Sequence, residues 1–562
     1  MDDYLYQKFR TMNRLTDAKS VLIIAVVCFS AFFVNNTIIP ADLMESRNLA
    51  TAQEMVRTGN YLIPTMNGEL RLEKPPLPTW IAAGVEHLLP DNLAAQRAVT
   101  GIVATLMAVF LFLLVQRLTR ERLLALISAV VLVTSYNVIM MGRTATWDIY
   151  CHSFMLGALY FMVCALQEKG PQWGRFALAG LLMGLSFLGK GPISFYGLLL
   201  PFLIGYGGVL RPKVRGKIAP ICTMVVLCLI VSFWWPAYVA VFHPETGTAV
   251  AAKEATNWLN HNVRPFWYYW GFTAESGIWT LFWLTSLVFF FWRKKPEQRQ
   301  VFRFSVWWTL AALILLSLIP EKKTRYLLPM LIPGAINIAF YLWYSIKGLA
   351  GKGEKTVFRI NGSVIALIAI AMPVVLYVAF FSKGVLGWPV FGLAAVLFIG
   401  LAVWMLIALY GKKGIYPARV FAGTTLTMMA FLTFCFAPAG LLFINQQRHG
   451  IHDLRDDPQV EGLAFHHNPD EELRMELVYD ANRTITPLDL SNDSLVYGSL
   501  PFVLVSGEPA EHELAGKNVR IEYVGTYDNN WQKPESRRYN PNLVKQVAII
   551  RAAESELGEM QE

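Results

Sequence analysis

The chain has 562 residues, of which 55% are hydrophobic and only 16% are charged. This composition excludes an ordinary soluble protein, because too few polar residues remain to cover a water-exposed surface. The formal net charge of +9 would be compatible with nucleic-acid binding in a soluble protein, but here the cations occupy short loops between apolar runs. The sequence therefore predicts a membrane protein that contacts membrane lipids and has no nucleic-acid partner.

Apolar stretches of spanning length predict thirteen transmembrane helices. The first stretch is long and lacks a small-residue cleavage site, which predicts a retained helix rather than a signal peptide. Basic residues precede it at Lys8, Arg10, Arg14 and Lys19. The thirteen predicted spans lie near residues 21–39, 95–116, 123–141, 150–166, 176–189, 193–210, 218–241, 277–292, 303–319, 326–346, 360–381, 386–410 and 420–444.

Basic residues occupy every second predicted loop, which is the pattern of cytoplasmic loops. With a cytoplasmic N-terminus, thirteen spans place residues 40–94, residues 242–276 and the C-terminal region outside the cytoplasm. The basic loops contain Arg117, Arg120 and Arg122; Lys169 and Arg175; Arg211, Lys213, Arg215 and Lys217; Arg293, Lys294 and Lys295; Lys347, Lys352, Lys355 and Arg359; and Lys412, Lys413 and Arg419.

The composition becomes polar near residue 446, which predicts a membrane domain over residues 1–445 and a small external α/β domain over residues 446–562. Strand-like runs lie at residues 475–479, 500–506, 519–524 and 544–551. Four histidines in this region lack the supporting Cys or carboxylate spacing of a metal site, so they are interpreted as loop residues. They are His449, His452, His466 and His467.

Charged residues also cluster in the predicted external loops and turns, where the positive-inside rule does not require them. Cations that converge there, with carboxylates opposite, suit a bound phosphate ester. The candidate ligands and catalytic groups are Asp42, Glu45, Arg47, Glu73, Lys74, Arg143, Asp148, Lys190, Arg264, Lys323 and Arg325.

Several of these residues also have structural interpretations. Asp42 and Glu45 form a capping-box pattern at the start of a helix, a role that does not exclude catalysis. Asp148 could form a structural ion pair with Arg143, and Lys322, Lys323 and Arg325 could extend to lipid headgroups. An ammonium group in an apolar turn is costly without a partner. This cost favours the interpretation that Lys190 binds a ligand.

A set of motifs over residues 20–335 resembles the membrane glycosyltransferases that use lipid-linked sugars. The likeness is to the relatives of the lipid A aminoarabinose transferase and, more distantly, to protein O-mannosyltransferases. The matching segments are Glu45-Ser-Arg47, Gln53-Glu54-Met55, Asn67-Gly68, Glu73-Lys74-Pro75-Pro76-Leu77 with Trp80, Arg143-Thr-Ala-Thr-Trp-Asp148, Gly184-Leu-Ser-Phe-Leu-Gly-Lys190-Gly-Pro192, Pro265-Phe-Trp-Tyr-Tyr269 and Lys323-Thr-Arg325-Tyr326-Leu-Leu-Pro329.

The resemblance implies a GT-C-type membrane all-α bundle of about thirteen helices, with amphipathic helices in the first external loop. It implies a bacterial inner-membrane enzyme that moves a sugar from a polyprenyl-phosphate donor to an envelope glycolipid, glycan or protein on the outer side. It also implies that Glu73 and His261 hold a divalent metal ion, although a hydrogen-bonding role of His261 is the alternative. By position, the catalytic residues would be Asp148, Asp42 and Glu45, and the substrate-binding residues Arg47, Glu73, Lys74, Arg143, Lys190, Arg264, Lys323, Arg325 and Tyr326.

The sequence departs from the family at Met44, where the family usually has the Asp of an Asp-Glu pair. A hydroxyl acceptor would need a general base such as Asp42 or Asp148, whereas a phosphate acceptor is already ionised at neutral pH. Both acceptor classes stay open. The competing interpretation is a transporter or flippase of lipid-linked saccharides, but the charged residues lie at external ends of spans and the motifs are not repeated.

Overall fold

The computed structural model describes residues 16–288 and 298–553, without the side chains of residues 251, 254, 255 and 257–259. The end of the predicted span 277–292, the basic loop at residues 293–295 and the basic residues before residue 16 lie outside the described part. The chain divides into two compact units. The first contains residues 1–36, 73–78 and 93–438, and the second contains residues 37–72, 79–92 and 439–562.

Helices dominate the first unit, as the long apolar runs predict. Within the described ranges, seven helices are long and apolar enough to cross a membrane, or up to nine if two bent pairs each form one span. A polytopic helical membrane protein is therefore confirmed, while the count of thirteen spans stays a prediction. The α-helices of this unit are Asp17–Cys28, Leu93–Thr119, Arg122–Val133, Tyr136–Gly142, Trp147–Gln167, Trp173–Lys190, Leu200–Gly205, Ile218–Phe242, Pro244–Asn260, Thr280–Leu287, Arg299–Leu318, Leu328–Lys347, Lys352–Leu376, Trp388–Tyr410 and Pro417–Phe434.

One bend in this unit directs the chain towards the candidate site. The helices Arg122–Val133 and Tyr136–Gly142 meet at an angle of 66°. The hydroxyl of Thr134 donates to the Val130 carbonyl (2.6 Å), and such bonds from Ser or Thr to the preceding turn often accompany helix bending. The predicted single span at residues 123–141 is therefore a broken helix, and the short turn after it leads into the helix Trp147–Gln167.

The second unit combines part of the first predicted external loop with the C-terminal region. The two helices predicted in that loop form as Leu43–Thr58, here called the loop helix, and Leu77–Leu88, which crosses the boundary between the units. The loop helix buries Ala50 among the core residues of the C-terminal region. Between the two helices, β1 (Thr65–Met66) and β2 (Glu69–Leu70) form a hairpin.

The C-terminal region forms a five-stranded sheet in the order β4-β3-β5-β7-β6. β3 pairs with β4 and β5 in parallel, and β7 pairs with β5 and β6 antiparallel. Strand β5 is central and every residue in it is buried. The strands are β3 (Ala464–His467), β4 (Ile485–Pro487), β5 (Phe502–Ser506), β6 (Val519–Asp528) and β7 (Val544–Ala552), and the α-helices are Met475–Ala481, Asp493–Gly498 and Ala510–Glu513.

Three of the four predicted strands overlap β5, β6 and β7, but the one predicted at residues 475–479 is wrong. This segment is the helix Met475–Ala481, because Leu477, Val478 and Ala481 recur at helical spacing and are all buried. The described strands thus agree with the predicted α/β composition. The predicted boundary at residue 446 and the location outside the cytoplasm stay predictions.

The hairpin explains one of the motifs on which the resemblance rests. Asn67 and Gly68 both have positive φ (58° and 81°), as a two-residue hairpin turn requires. Their backbone N–H groups donate to the Glu54 carboxylate at 2.7 and 3.0 Å. The Asn67 side chain donates to the Ile485 carbonyl and accepts from the Ile485 N–H, both at 2.7 Å. These residues therefore attach the hairpin to the loop helix and to the edge strand β4.

Candidate active site

A buried ion pair lies at the centre of the candidate site in the first unit. Lys190 Nζ lies 2.5 Å from Asp148 Oδ1, and the two side chains are 5% and 1% exposed. Asp148 is the second residue of the helix Trp147–Gln167, where the helix dipole favours a negative charge. Lys190 is the last residue of the helix Trp173–Lys190, where the dipole favours a positive charge. The structure therefore joins two predicted site residues that are 42 positions apart.

Close packing of these two helices brings the pair together. A Cβ atom at Gly189 would lie 3.1 Å from the Cys151 backbone nitrogen, so a larger residue there would force the helices apart. The hydroxyl of Ser186 donates to the Cys151 carbonyl at 2.6 Å and fixes the same contact. Gly191, with φ of 72°, ends the second helix directly after Lys190. The glycines of this motif therefore position Lys190 against Asp148.

Further cations surround the pair. Arg325 lies close enough for its charge to stabilise the Asp148 carboxylate, and it makes no ion pair with any described residue. Lys323 Nζ lies 2.6 Å from Glu321 Oε1. Lys190 and Lys323 lie 5.3 and 5.8 Å from the centre of the Tyr326 ring, within cation–π range. Asp148, Lys190, Glu321, Lys323, Arg325 and Tyr326 are here called the Asp148 cluster. Lys190 and Lys323 pair with the two carboxylates, so Arg325 gives the cluster one excess positive charge.

The segment that carries Lys323 and Arg325 is held by neighbouring backbone and side chains. The Tyr269 hydroxyl accepts from the Lys323 N–H at 3.0 Å, and the Asn137 side chain donates to the Thr324 carbonyl at 3.2 Å. Lys322 Nζ donates to the carbonyls of Ile319 and Arg264, and burial lowers the pKa of Lys322. Lys322 therefore stabilises the backbone, whereas Arg325 retains donors for a ligand.

Arg143 makes a different set of contacts from the predicted ion pair with Asp148. Its guanidinium is buried and donates to the carbonyls of Ala31 (2.6 Å), Ser30 (3.1 Å) and Asn35 (3.3 Å). It also lies over the Phe436 ring at 4.6 Å. These bonds satisfy the carbonyls at the end of the first helix and occupy three of the five guanidinium N–H groups.

Several polar atoms near the buried pair lack hydrogen bonds within the described part of the chain. They include Asp148 Oδ2, His152 Nδ1 and Arg325 Nε. A buried polar atom without a partner is costly and calls for an explanation, such as an absent ligand or water. His152 is 1% exposed and lies one helical turn after Asp148. The sequence analysis missed it, although a His four residues after an Asp on an apolar helix was the available signal.

Three predicted residues of the first loop, Asp42, Glu45 and Arg47, belong to the second unit. Asp42 is the N-cap of the loop helix, and its Oδ1 accepts from the N–H groups of Met44 (2.9 Å) and Glu45 (2.8 Å). Glu45 is fully buried. Arg47 is half-buried, and its Nε has no hydrogen-bond partner in the described residues. Asp42 therefore caps the loop helix, as one of its two interpretations predicts. The other interpretation, a catalytic role, stays open because capping does not exclude it.

The residues predicted to hold a metal ion contact different partners. Glu73 Oε1 lies 3.8 Å from Lys253 Nζ, and His261 Nδ1 lies 3.5 Å from Glu321 Oε1. No group of three or more His, Cys, Asp or Glu side chains in the described ranges could hold a metal ion. These residues do not fit a metal site as they stand, so the divalent cation stays a prediction and enters no step below. Lys74 is half-buried beside Glu73, and the Arg264 side chain is exposed.

Comparisons with known proteins agree with the resemblance that the sequence motifs indicate. Residues 73–235 match the family described as dolichyl-phosphate-mannose-protein mannosyltransferase. The chain is 24% identical over 390 residues to the undecaprenyl phosphate-alpha-4-amino-4-deoxy-L-arabinose arabinosyl transferase of Edwardsiella ictaluri, covering 67% of this chain and 68% of the relative. It is 28% identical over 378 residues to the protein of the same name from Shewanella sediminis, covering 64% of this chain and 67% of the relative.

The fold is also found in solved structures. ArnT from Cupriavidus metallidurans, crystallised in the apo state, aligns with a TM-score of 0.65 at 16% identity, covering 95% of this chain and 97% of that one. The crystal structure of the same protein bound to undecaprenyl phosphate aligns with a TM-score of 0.63 and similar coverage. The predicted GT-C-type fold and glycosyltransferase class are thus confirmed, and the chain resembles the membrane glycosyltransferases that use polyprenyl-phosphate sugars.

Proposed function

We propose that this protein transfers a sugar from a polyprenyl-phosphate donor to an acceptor of the bacterial envelope, with the Asp148 cluster as its reaction centre. The observation that carries the assignment of the centre is the buried Asp148–Lys190 pair beside Arg325, with Asp148 Oδ2 left unpartnered. A buried charge pair gives weak support for stability alone, because desolvation offsets its attraction. A functional role accounts better for the placement of the Asp148–Lys190 pair next to further cations.

The cations stabilise the leaving phosphate. As the acceptor oxygen bonds to the anomeric carbon, the bond from that carbon to the phosphate oxygen breaks, and its electron pair leaves with polyprenyl phosphate. Negative charge then develops on the phosphate in a site of low dielectric, where fixed cationic donors are most effective. Arg325 supplies the excess charge of the cluster, and Lys190, Lys323 and Arg325 all lie within about 6 Å of the centre of the Tyr326 ring, in cation–π range.

Asp148 is proposed as the general base for a hydroxyl acceptor. The proton of the attacking hydroxyl passes to the free Oδ2 oxygen while Oδ1 stays bound to Lys190. An acceptor that arrives as an ionised phosphate needs no proton transfer, and the same cations would then only orient it and the donor. His152 lies one helical turn after Asp148 on the same helix.

The reaction is proposed to occur on the outer side of the inner membrane, and the second unit is proposed to lie there too. The alternating basic loops support this orientation. The names of the relatives contain undecaprenyl phosphate and 4-amino-4-deoxy-L-arabinose. Because the motifs resemble those of the lipid A aminoarabinose transferase, a lipid A-like glycolipid is the first acceptor to test. Glycans and proteins of the envelope are the other candidates.

Mass spectrometry of the envelope tests the proposal. Glycolipids, glycans and glycoproteins would be compared between cells that lack the protein, cells that carry it, and cells that carry the Asp148→Asn variant at equal abundance. We expect one sugar residue to be missing from one acceptor in the first strain, and also in the third strain where the acceptor group is a hydroxyl. Identical envelopes in all three strains would overturn the transferase assignment.

A further inference from the structure

The second unit contains a cavity of about 270 Å³ between the start of the loop helix and the C-terminal sheet region. Its wall comprises three arginines, three carboxylates, three asparagines and Trp531, together with apolar residues such as Leu43 and Leu543. Of the residues predicted to act in the reaction, only Asp42 reaches it. The transfer mechanism gives this cavity no task, so its chemistry needs its own explanation.

The charges in the wall balance one another. The three arginines are Arg448, Arg474 and Arg538, and the three carboxylates are Asp42, Glu476 and Asp480. Arg448 pairs with Asp480, and Arg474 pairs with Glu476 at 2.9 Å. A phosphate or other multivalent anion would therefore meet carboxylates as well as guanidinium groups. The balance favours a ligand without a large net charge.

Four buried side-chain atoms of the wall residues have no hydrogen-bond partner in the described part of the chain. The unpartnered buried atoms are Ser46 Oγ, Arg448 Nε, Arg474 Nε and Glu476 Oε2. Ser46 is only 1% exposed, which makes its free hydroxyl costly. This set includes donors, an acceptor and a hydroxyl that can do both. A ligand that complements it must itself carry several groups that donate and accept.

We infer that this cavity is a saccharide-binding site for a neutral or zwitterionic sugar ring. Each sugar hydroxyl donates and accepts, which matches a wall of paired carboxylates, amides and guanidinium groups. Trp531 is half-buried in the same wall, and an aromatic face packs against the apolar C–H side of a sugar ring. The volume lies just below the range of about 300 to 1,000 Å³ that is usual for small-molecule pockets, so it suits one small ring or a short saccharide.

The inference goes beyond the proposed transfer reaction, because the cavity can bind a sugar without turnover. The sugar could belong to the acceptor glycan or to the donor headgroup, and both have this chemistry. Binding to the acceptor would retain the growing or modified envelope molecule near the enzyme. Binding to the donor sugar would instead make the second unit part of donor selection.

Saturation-transfer NMR on the full-length protein in detergent micelles tests the inference. The probes are the methyl glycosides of glucose, galactose, mannose, N-acetylglucosamine and arabinose, with inorganic phosphate as a competitor. A deacylated envelope oligosaccharide and a sugar 1-phosphate distinguish the acceptor and donor sources. We expect saturation transfer to at least one glycoside or to one of these two compounds, without competition by phosphate.

The variant Arg538→Gln removes an exposed arginine of the wall, and Arg537→Gln is its matched control, because Arg537 is also exposed but lies outside the wall. We expect binding to weaken about tenfold in Arg538→Gln, the effect of losing one hydrogen bond to a charged group, and to stay unchanged in Arg537→Gln. Trp531→Ala provides a second test of the same wall. Saccharide binding by the two variants is compared only after a thermal unfolding transition confirms that each variant is folded.

Absence of saturation transfer to every probe would overturn the inference. So would equal binding by wild type, Arg538→Gln and Trp531→Ala, or displacement by phosphate at millimolar concentration, which would indicate an anion site. The Asp148→Asn variant separates the two proposals, since it should lose transfer but keep saccharide binding. If the wild-type protein binds saccharides but transfers no sugar, only the proposed reaction is refuted.

Discussion

Asp148→Asn is the substitution that tests the proposed chemistry most directly. Asn has nearly the same size as Asp but cannot accept a proton, and general-base catalysis contributes about 100 to 10,000-fold to a rate. We therefore expect turnover with a hydroxyl acceptor to fall by about that factor, while donor binding persists through Arg325 and Lys323. The assay is transfer of a labelled sugar from its polyprenyl phosphate by the purified protein.

The same substitution has a structural cost that must be measured separately. It leaves the Lys190 ammonium, which is only 5% exposed, without its counter-charge. Removing one partner of a buried ion pair costs about 3 to 5 kcal/mol. We expect a lower unfolding temperature for Asp148→Asn and recovery in the double variant Asp148→Asn with Lys190→Met. Turnover must therefore be compared at a temperature at which the single variant is folded.

The acceptor class gives the result that would refute the reasoning. If Asp148 is the base, Asp148→Asn should impair transfer to a hydroxyl acceptor but not to a phosphate monoester, which is already ionised near neutral pH. Near-normal transfer to a hydroxyl acceptor by the folded variant would show that Asp148 is not the base. Equal loss with both acceptors would limit Asp148 to holding Lys190 in place.

Three further predictions concern other parts of the chain. Arg325→Ala should lower transfer by about 10 to 1,000-fold without unfolding the protein, whereas Lys383→Ala, an exposed control, should not; equal activities would remove the phosphate role. A periplasm-active reporter fused at residue 450 should be active, and a reporter active only in the cytoplasm would reverse the topology. Asn67→Ala should destabilise the second unit by about 1 to 3 kcal/mol, seen as faster limited proteolysis than in the exposed control Glu69→Gln; equal rates would contradict this.

Sequence analysis predicted the membrane helices well because hydrophobic runs have few alternatives in a lipid environment. The charges of the Asp148 cluster were identifiable for the related reason that an ionised group in an apolar segment needs a partner. The pairing of Asp148 with Lys190 itself was not predictable, since it depends on a close helix approach at Gly189. The short helix Met475–Ala481 was mistaken for a strand because a few apolar residues fit both periodicities.

The role of the first loop was also hidden from the sequence. Sequence analysis assigned no role to the motif residues Glu54 and Asn67, and the structure shows that they bind the hairpin backbone and the edge of the C-terminal sheet. Such bonds join positions more than 400 residues apart, as between Asn67 and Ile485. A single sequence carries no signal for contacts at that separation, because they depend on how the folded elements meet.

The geometry of the loop helix bears on Met44, which stands where the transferases that this chain resembles usually have an Asp. Asp42 has an extended backbone (φ −80°, ψ 172°) and is committed to the helix N-terminus by two hydrogen bonds from Met44 and Glu45. Each helical residue rotates the side chain by about 100°, so a carboxylate two positions earlier does not take the place of one at position 44. Asp148, whose buried Oδ2 has no hydrogen-bond partner in the described part of the chain, is therefore the better candidate for the base.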